Sequence, residues 1–279
     1  MSIKLKLTGG LGNQMFQFAA GYSVAKSKKV DLNLDLSWYK RRNIHNGFEL
    51  KKVFDIFNRV DFLNKPLSFK QLFSQIDFRY KTYDEPHFHY TPEILNLQDH
   101  CFLRGYWQSE MYFSKYASEI RKIFKFDKIL DNENTKIANE ILENKSVSLH
   151  IRRGDFLKKN NQVHQVDLTK FYKKAINEIS INFHNPKFFI FSDDPKWVFQ
   201  NFSIKTNFRI VSNNKSNYSY LDMYLMSLCK CNILANSTFS WWAAWLNNYS
   251  NKIILAPKTW FTDKTIKTDN LFPRNWNTI

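Results

Sequence analysis

Four short stretches of the chain carry side chains suited to holding a negatively charged group. The first is His150-Ile151-Arg152-Arg153-Gly154-Asp155. It closes an alternating run, so His150 and Arg152 share one strand face. Arginine suits phosphate because its planar, permanently charged fork donates two parallel hydrogen bonds. Arg153 is equally well placed to pair with Asp155 across the turn. The second stretch is Gly9-Gly10-Leu11-Gly12-Asn13-Gln14-Met15. Glycine there permits a tight turn, and a helix N-terminus beyond it offers N–H groups to an anion. Gly12, Asn13 and Gln14 are candidate ligand groups; a turn with no ligand is the plain alternative. The third is Ser192-Asp193-Asp194-Pro195. A capping carboxylate followed by proline at the first helical position accounts for most of it, and Asp193 remains a candidate ligand group. The fourth is Asn236-Ser237-Thr238-Phe239-Ser240, whose small hydroxyls and helix start form another anion cradle. Asp222, early in a helix, could reach a nucleobase or lie on the surface.

These residues need strands that end in turns and helices that begin there. Ile3 to Leu7, then a helix from Asn13 to Lys28, then the alternating VDLNLDL of Val30 to Leu36 form a strand–turn–helix–strand unit. The stretch from about Lys40 to His100 is irregular and aromatic. Helices are expected at Glu110 to Phe124 and Asn132 to Glu143. The second half alternates more cleanly: strands at Ser146–Ile151, Lys187–Phe191, Arg209–Val211, Asn232–Ala235 and, last, Lys252–Ala256, with helices at Thr169–Ile181, after Asp194-Pro195, at Tyr220–Cys229 and at Ser240–Asn247. Such alternation predicts an α/β fold of two domains, residues 1–140 and 141–279, with parallel sheets covered on both faces and a ligand cleft between. Trp241, Trp242 and Trp245 read as packing residues.

The chain has 279 residues, 43% of them hydrophobic and 24% charged, which excludes wholesale disorder and leaves room for a sizeable core. Cys101, Cys229 and Cys231 are odd in number and lack zinc spacing, so neither a disulfide framework nor a metal site is expected. No signal segment or apolar run of membrane-spanning length is visible, so a cytoplasmic location is expected. Lys and Arg exceed Asp and Glu by 41 to 25, a net charge of +16 that favours anionic partners. There is no Walker A lysine motif, HExxH, GxSxG or EF-hand loop. The basic residues are scattered, so a nucleic acid partner is not expected. The glycine-rich start also admits a nicotinamide-cofactor oxidoreductase with Asp35 on the ribose, although Met15 stands where the third glycine would be.

GGLGNQMFQFAAG, GYWQSEMYF, HIRRGDF, FFIFSDDPKWV, LDMYLMSLCKCNILANSTFSWWAAWLN and ILAPKTWF occur in one order over nearly the whole chain. In these the sequence resembles the bacterial α-1,2-fucosyltransferases of glycosyltransferase family 11. The resemblance implies a GT-B fold, with two Rossmann-like domains facing across a cleft. It implies GDP-β-L-fucose as donor and transfer to O2 of a terminal galactose on a glycan acceptor, inverting and with no cofactor or obligatory metal. It places Arg152 on the β-phosphate, His150 and Asp222 near the ribose and guanine, Ser237, Thr238 and Ser240 on the pyrophosphate, and Asn13 on the donor from the other domain, with Arg152 and Asn13 as the catalytic pair. Gly12, Gln14, Arg153, Asp193 and Asn236 complete the expected substrate contacts. Phe156, Leu221 and Cys231 depart from the family pattern, where Tyr, Gly and His are common. No general base is identified; Asp35, His45, Glu85 and His87 are candidates. In this reading the positive charge would suit peripheral contact with an anionic inner membrane.

Overall fold

The computed structural model describes residues 2–40, 46–58, 69–72, 80–127, 130–153, 159–202 and 206–279. His45, Asp155 and Phe156 lie outside them. The chain forms two compact units, Met1–Asp127 with Ile266–Pro273, and Lys128–Thr265 with Arg274–Ile279.

The first unit holds β1 (Ser2–Lys6), β2 (Asp31–Asp35), β3 (Phe69–Leu72), β4 (Lys81–Asp84) and β5 (Cys101–Arg104), in the order β3-β2-β1-β5-β4. Every pairing in it is parallel. The helix Leu11–Lys28 crosses from β1 to β2, and nearly every residue from Leu11 to Ala25 is buried. It needs no strong stripe of polarity because the unit covers it almost all round. Lys26 and Lys28 sit in its last turn, where they complement the carbonyl ends.

The second unit holds β6 (Ser146–Ile151), β7 (Lys187–Ser192), β8 (Phe208–Val211), β9 (Cys231–Ile233), β10 (Ile253–Ala256) and β11 (Asn277–Thr278), in the order β11-β10-β9-β6-β7-β8, again all parallel. β6 is buried along its whole length, as a central strand covered on both faces must be. Trp241, Trp242, Trp245 and Trp276 pack ring against ring, with centroids 5.1 Å apart for Trp241–Trp242 and 5.2 Å for Trp241–Trp276. The packing role expected of the first three is what they have.

Several expectations are corrected. Lys252–Ala256 is not the last strand, because β11 pairs beyond it. The continuous helix expected from Glu110 to Phe124 is two 3-10 turns, Glu110–Tyr112 and Ser114–Tyr116, followed by the helix Ala117–Ile123. The tighter turns bury Tyr112 and Phe113 together. The units divide after Asp127 rather than after residue 140. The helix Asn132–Glu143 packs on the helix Tyr220–Leu228, and its Glu133 and Glu140 both take the Arg209 guanidinium, at 2.8 and 2.5 Å.

Candidate functional site

In a doubly wound parallel sheet the ligand lies beyond the strand ends, where the order reverses. That point falls between β1 and β5 in the first unit and between β6 and β9 in the second. The sequence places its polar turns at both.

The turn after β1 is filled by the protein itself. Glu49 is 4% exposed, and the Leu11 N–H at the start of the helix Leu11–Lys28 favours its charged form. Burial pushes its pKa up, opposed by hydrogen bonds from Asn46 and Leu11. A buried internal carboxylate thus lies near the helix start where an anionic ligand was expected. Gln14 is fully buried. Its amide donates to Gly9 O (3.1 Å) and Gly47 O (2.8 Å), and its Oε1 accepts from Glu49 N (2.9 Å). It braces the 47–49 turn and does not line a ligand site. Gly12 is buried in the same first turn. Asp35 is also turned inward, accepting from Ser37 N at 2.9 Å, so the ribose role drawn from the nicotinamide reading fails. No residue type or spacing singled out Glu49; it lies 38 positions beyond Leu11 in an irregular stretch.

Asn13 is only half-buried, and its Oδ1 accepts from Gln108 Nε2 at 3.1 Å. Gly9 has φ +76°, and a Cβ there would lie 2.6 Å from the Asn13 amide nitrogen, so glycine is what lets that side chain sit over the turn. Gln17 ties both strand ends together: Nε2 donates to Thr8 Oγ1 (3.0 Å) and Gly105 O (2.9 Å), and Oε1 accepts from Thr8 N (2.9 Å). One turn on from Asn13, it shares that helix face, the one signal that could have pointed to it.

Glu85, just past β4, accepts from Tyr106 N (2.6 Å) and Trp107 N (3.0 Å). Its pKa is pushed up to about 7 by burial, against the pull of those two N–H groups. Trp107 is fully buried at φ 56°, a left-handed conformation that a bulky residue adopts only when held there. His87 stacks on His89 with centroids 3.5 Å apart.

The second unit presents a different mouth. The helix Thr238–Leu246 begins beyond β9, capped by a neutral hydroxyl, Ser237 Oγ, which accepts from Phe239 N at 3.3 Å. Ser237 and Thr238 are half-buried. Ser240 is not available to a ligand as expected: it is 1% exposed and its hydroxyl donates to backbone carbonyls of Ala235 and Ser237. Asn236 is likewise spent, its amide donating to His164 O and Trp260 O, both at 3.0 Å. Sequence spacing could not reveal either bond, because the partners are fixed by tertiary packing.

At the end of adjacent β6, Arg152 is half-buried with Nε 3.2 Å from Asp193 Oδ2. The other Asp193 oxygen accepts from Arg153 N at 2.8 Å. Asp193 therefore fixes the arginine turn, so a positioning role is what its contacts show. Asp194 caps the helix Pro195–Asn201 through Trp197 N (3.1 Å), as the proline-led pattern predicts. Arg153 lies over the Trp197 ring at 3.7 Å with Asp194 at 3.8 Å, so its guanidinium is parked on the protein.

His150 is 4% exposed. Burial and the neighbouring Arg152 charge hold its pKa down, at about 3. Among the described residues its Nδ1 has no hydrogen-bond partner. An orphaned buried nitrogen is rare and calls for a partner from elsewhere. Phe239, at the start of the helix Thr238–Leu246, has its ring 5.8 Å away. Asp222 accepts from Asn214 Nδ2 at 2.8 Å, and burial raises its pKa to about 7. Arg152, His150 and the Ser237–Thr238 turn thus converge at one switch point of one sheet. Among the described residues no group of three potential metal ligands occurs, and no helix is long and apolar enough to cross a membrane.

The sequence matches the family described as glycosyl transferase family 11 over residues 2–279. An alpha-1,2-colitosyltransferase of Escherichia coli is 33% identical over 97% of this chain and 96% of its own. The O-antigen biosynthesis glycosyltransferase WbnK, also of Escherichia coli, is 34% identical over 91% and 93%. Among solved structures, the NodZ alpha-1,6-fucosyltransferase soaked with GDP-fucose aligns with a TM-score of 0.52 over 90% of this chain and 96% of that one, at 15% identity. That likeness shows a shared fold.

Proposed function

Because the chain belongs to glycosyl transferase family 11, we propose that it moves L-fucose from GDP-β-L-fucose to O2 of a terminal galactose, forming an α-1,2 linkage with inversion and without a metal. Cleavage of the sugar–phosphate bond leaves growing negative charge on the β-phosphate. Only a group that binds this charge more tightly in the transition state than in the ground state speeds the step. Arg152 is the group proposed for that role, with the Ser237 and Thr238 helix start beside it and Asp193 holding the guanidinium in place. His150 and Asp222 are proposed to meet the nucleoside, and Asn13 to meet the donor from the first unit, in keeping with the GT-B expectation.

The observation that carries this reading is the contrast between the two helix mouths. One has a buried carboxylate of its own nearby, Glu49, which disfavours a second anion there. The other has a hydroxyl cap and stands on the sheet whose central strand ends in Arg152. A departing diphosphate fits the second.

The relative named for colitose supports a second donor. Colitose is fucose without its 3-hydroxyl. A site that hydrogen-bonds this hydroxyl rejects the deoxy sugar by roughly 10⁴–10⁵ in kcat/KM, whereas a site that does not discriminates weakly. The deciding experiment incubates the protein with GDP-fucose and GDP-colitose in turn against a panel of β-galactosides, followed by linkage analysis. Transfer from GDP-colitose alone, from neither donor, or to a position other than O2, overturns the proposal of fucose transfer. The name of the second relative makes an O-antigen repeat unit the acceptor to try first.

A further inference from the structure

The outer side of β8 takes no part in the donor reading. Phe208, Ile210 and Ser212 alternate onto one side of this edge strand, and the helix Pro195–Asn201 packs beside it. Pro195, Phe199 and Ile210, with Lys196 and Lys215, line an open groove of about 380 Å³ there. Phe199 is 81% exposed, Phe208 41% and Tyr218, in the 3-10 turn just after Lys215, 62%. Exposed aromatic surface on neighbouring segments, with Phe199 itself lining the groove, marks a contact face. The charged residues lining the groove, Lys196 and Lys215, are both basic.

A second copy of the chain would bring lysine against lysine on bodies that each carry +16. A partner with an apolar interior and an anionic surface satisfies both halves of the patch. Phenyl and phenol rings enter the boundary between headgroups and acyl chains, and lysines pair with lipid phosphates above it. We infer that this face of the second unit docks on an anionic phospholipid bilayer, with Phe199 as the inserted side chain and Lys196 and Lys215 as the charge contacts. The inference does not rest on the donor chemistry, and its test reads no turnover.

The test floats the full chain with phosphatidylglycerol vesicles and with phosphatidylcholine vesicles at physiological ionic strength. Binding to the first and not the second is expected. Lys196→Gln with Lys215→Gln should weaken binding roughly thirtyfold. Phe199→Ser should weaken it severalfold at unchanged charge, and an exposed position poses little risk to folding. Lys81→Gln with Lys122→Gln, exposed lysines of the other unit, removes the same charge and should leave binding within twofold. Equal loss in that control would mean that net charge alone attracts the chain, and overturns the assignment. So would undiminished binding by Phe199→Ser, no binding to either vesicle, or capture of an oligonucleotide through these lysines while the vesicles are ignored.

Discussion

Arg152 and Asp193 form the pair on which the proposed chemistry turns. Arg152→Ala should fold and lose roughly 10²–10³ in kcat, the usual effect of deleting one preorganised donor to developing charge. Arg152→Lys should fall nearly as far, because a point charge lacks the fork. Near-native turnover by either variant would remove Arg152 from the mechanism. Asp193→Ala tests positioning: the guanidinium remains but is no longer held, so turnover should fall by roughly ten- to hundredfold, the worth of one charged hydrogen bond, and Asp193→Asn should recover part of it. His150 gives a pH prediction. With its folded pKa held at about 3, its ring should show no titration by NMR between about pH 5 and 8, where a free imidazole changes charge. The unfolded chain takes up that proton below about 6.5 and the folded chain does not, so stability from this residue is present above that value and lost as pH falls below it.

At the scale of elements, the two strand ends of the first unit depend on Gln17 and Glu85. Gln17→Ala orphans Thr8 N and Gly105 O and should cost about 1–3 kcal/mol per group left buried and unpaired, read as a lower melting temperature. Glu85 behaves oppositely to His150. Its folded pKa is raised to about 7, so the folded chain binds its proton more tightly and loses stability as pH rises from the ordinary carboxylate range to about 7. The melting temperature of Glu85→Gln minus that of wild type should therefore grow from about pH 5 to about pH 8. Sequence made most of these elements legible. Alternation marks β1, β2 and β6, and Pro195 after Asp194 marks a helix start, because both signals are local. Arg152 and the Ser237 cap are legible for the same reason. The committed side chains are not: Gln14, Asn236 and Ser240 have the right residue types at the right turns, yet each is consumed by a carbonyl or N–H that only the folded chain brings near. Glu49 shows the reverse, a buried carboxylate near a helix start in a stretch without periodicity. β11 has only two residues, too few to carry a pattern, and β5 lies at the end of the irregular stretch with no alternation to mark it.

For the molecule as a whole, two units with all-parallel sheets use the same device, a polar turn at a switch point, for different ends. In one a buried carboxylate, Glu49, lies nearby; in the other stands Arg152, the group proposed to bind the departing charge. The chain's segmentation adds a further consequence. Ile266–Pro273 belongs to the first unit although the rest of that unit ends at Asp127. Ser109 Oγ donates to Asn270 O at 2.7 Å, and Leu271 is 2% exposed. On the ribosome, the first unit must therefore wait with a bare apolar patch while 138 intervening residues, Lys128–Thr265, are translated. A nascent chain stalled at Thr265 should bind a trigger-type chaperone more strongly than one stalled after the 266–273 segment has emerged.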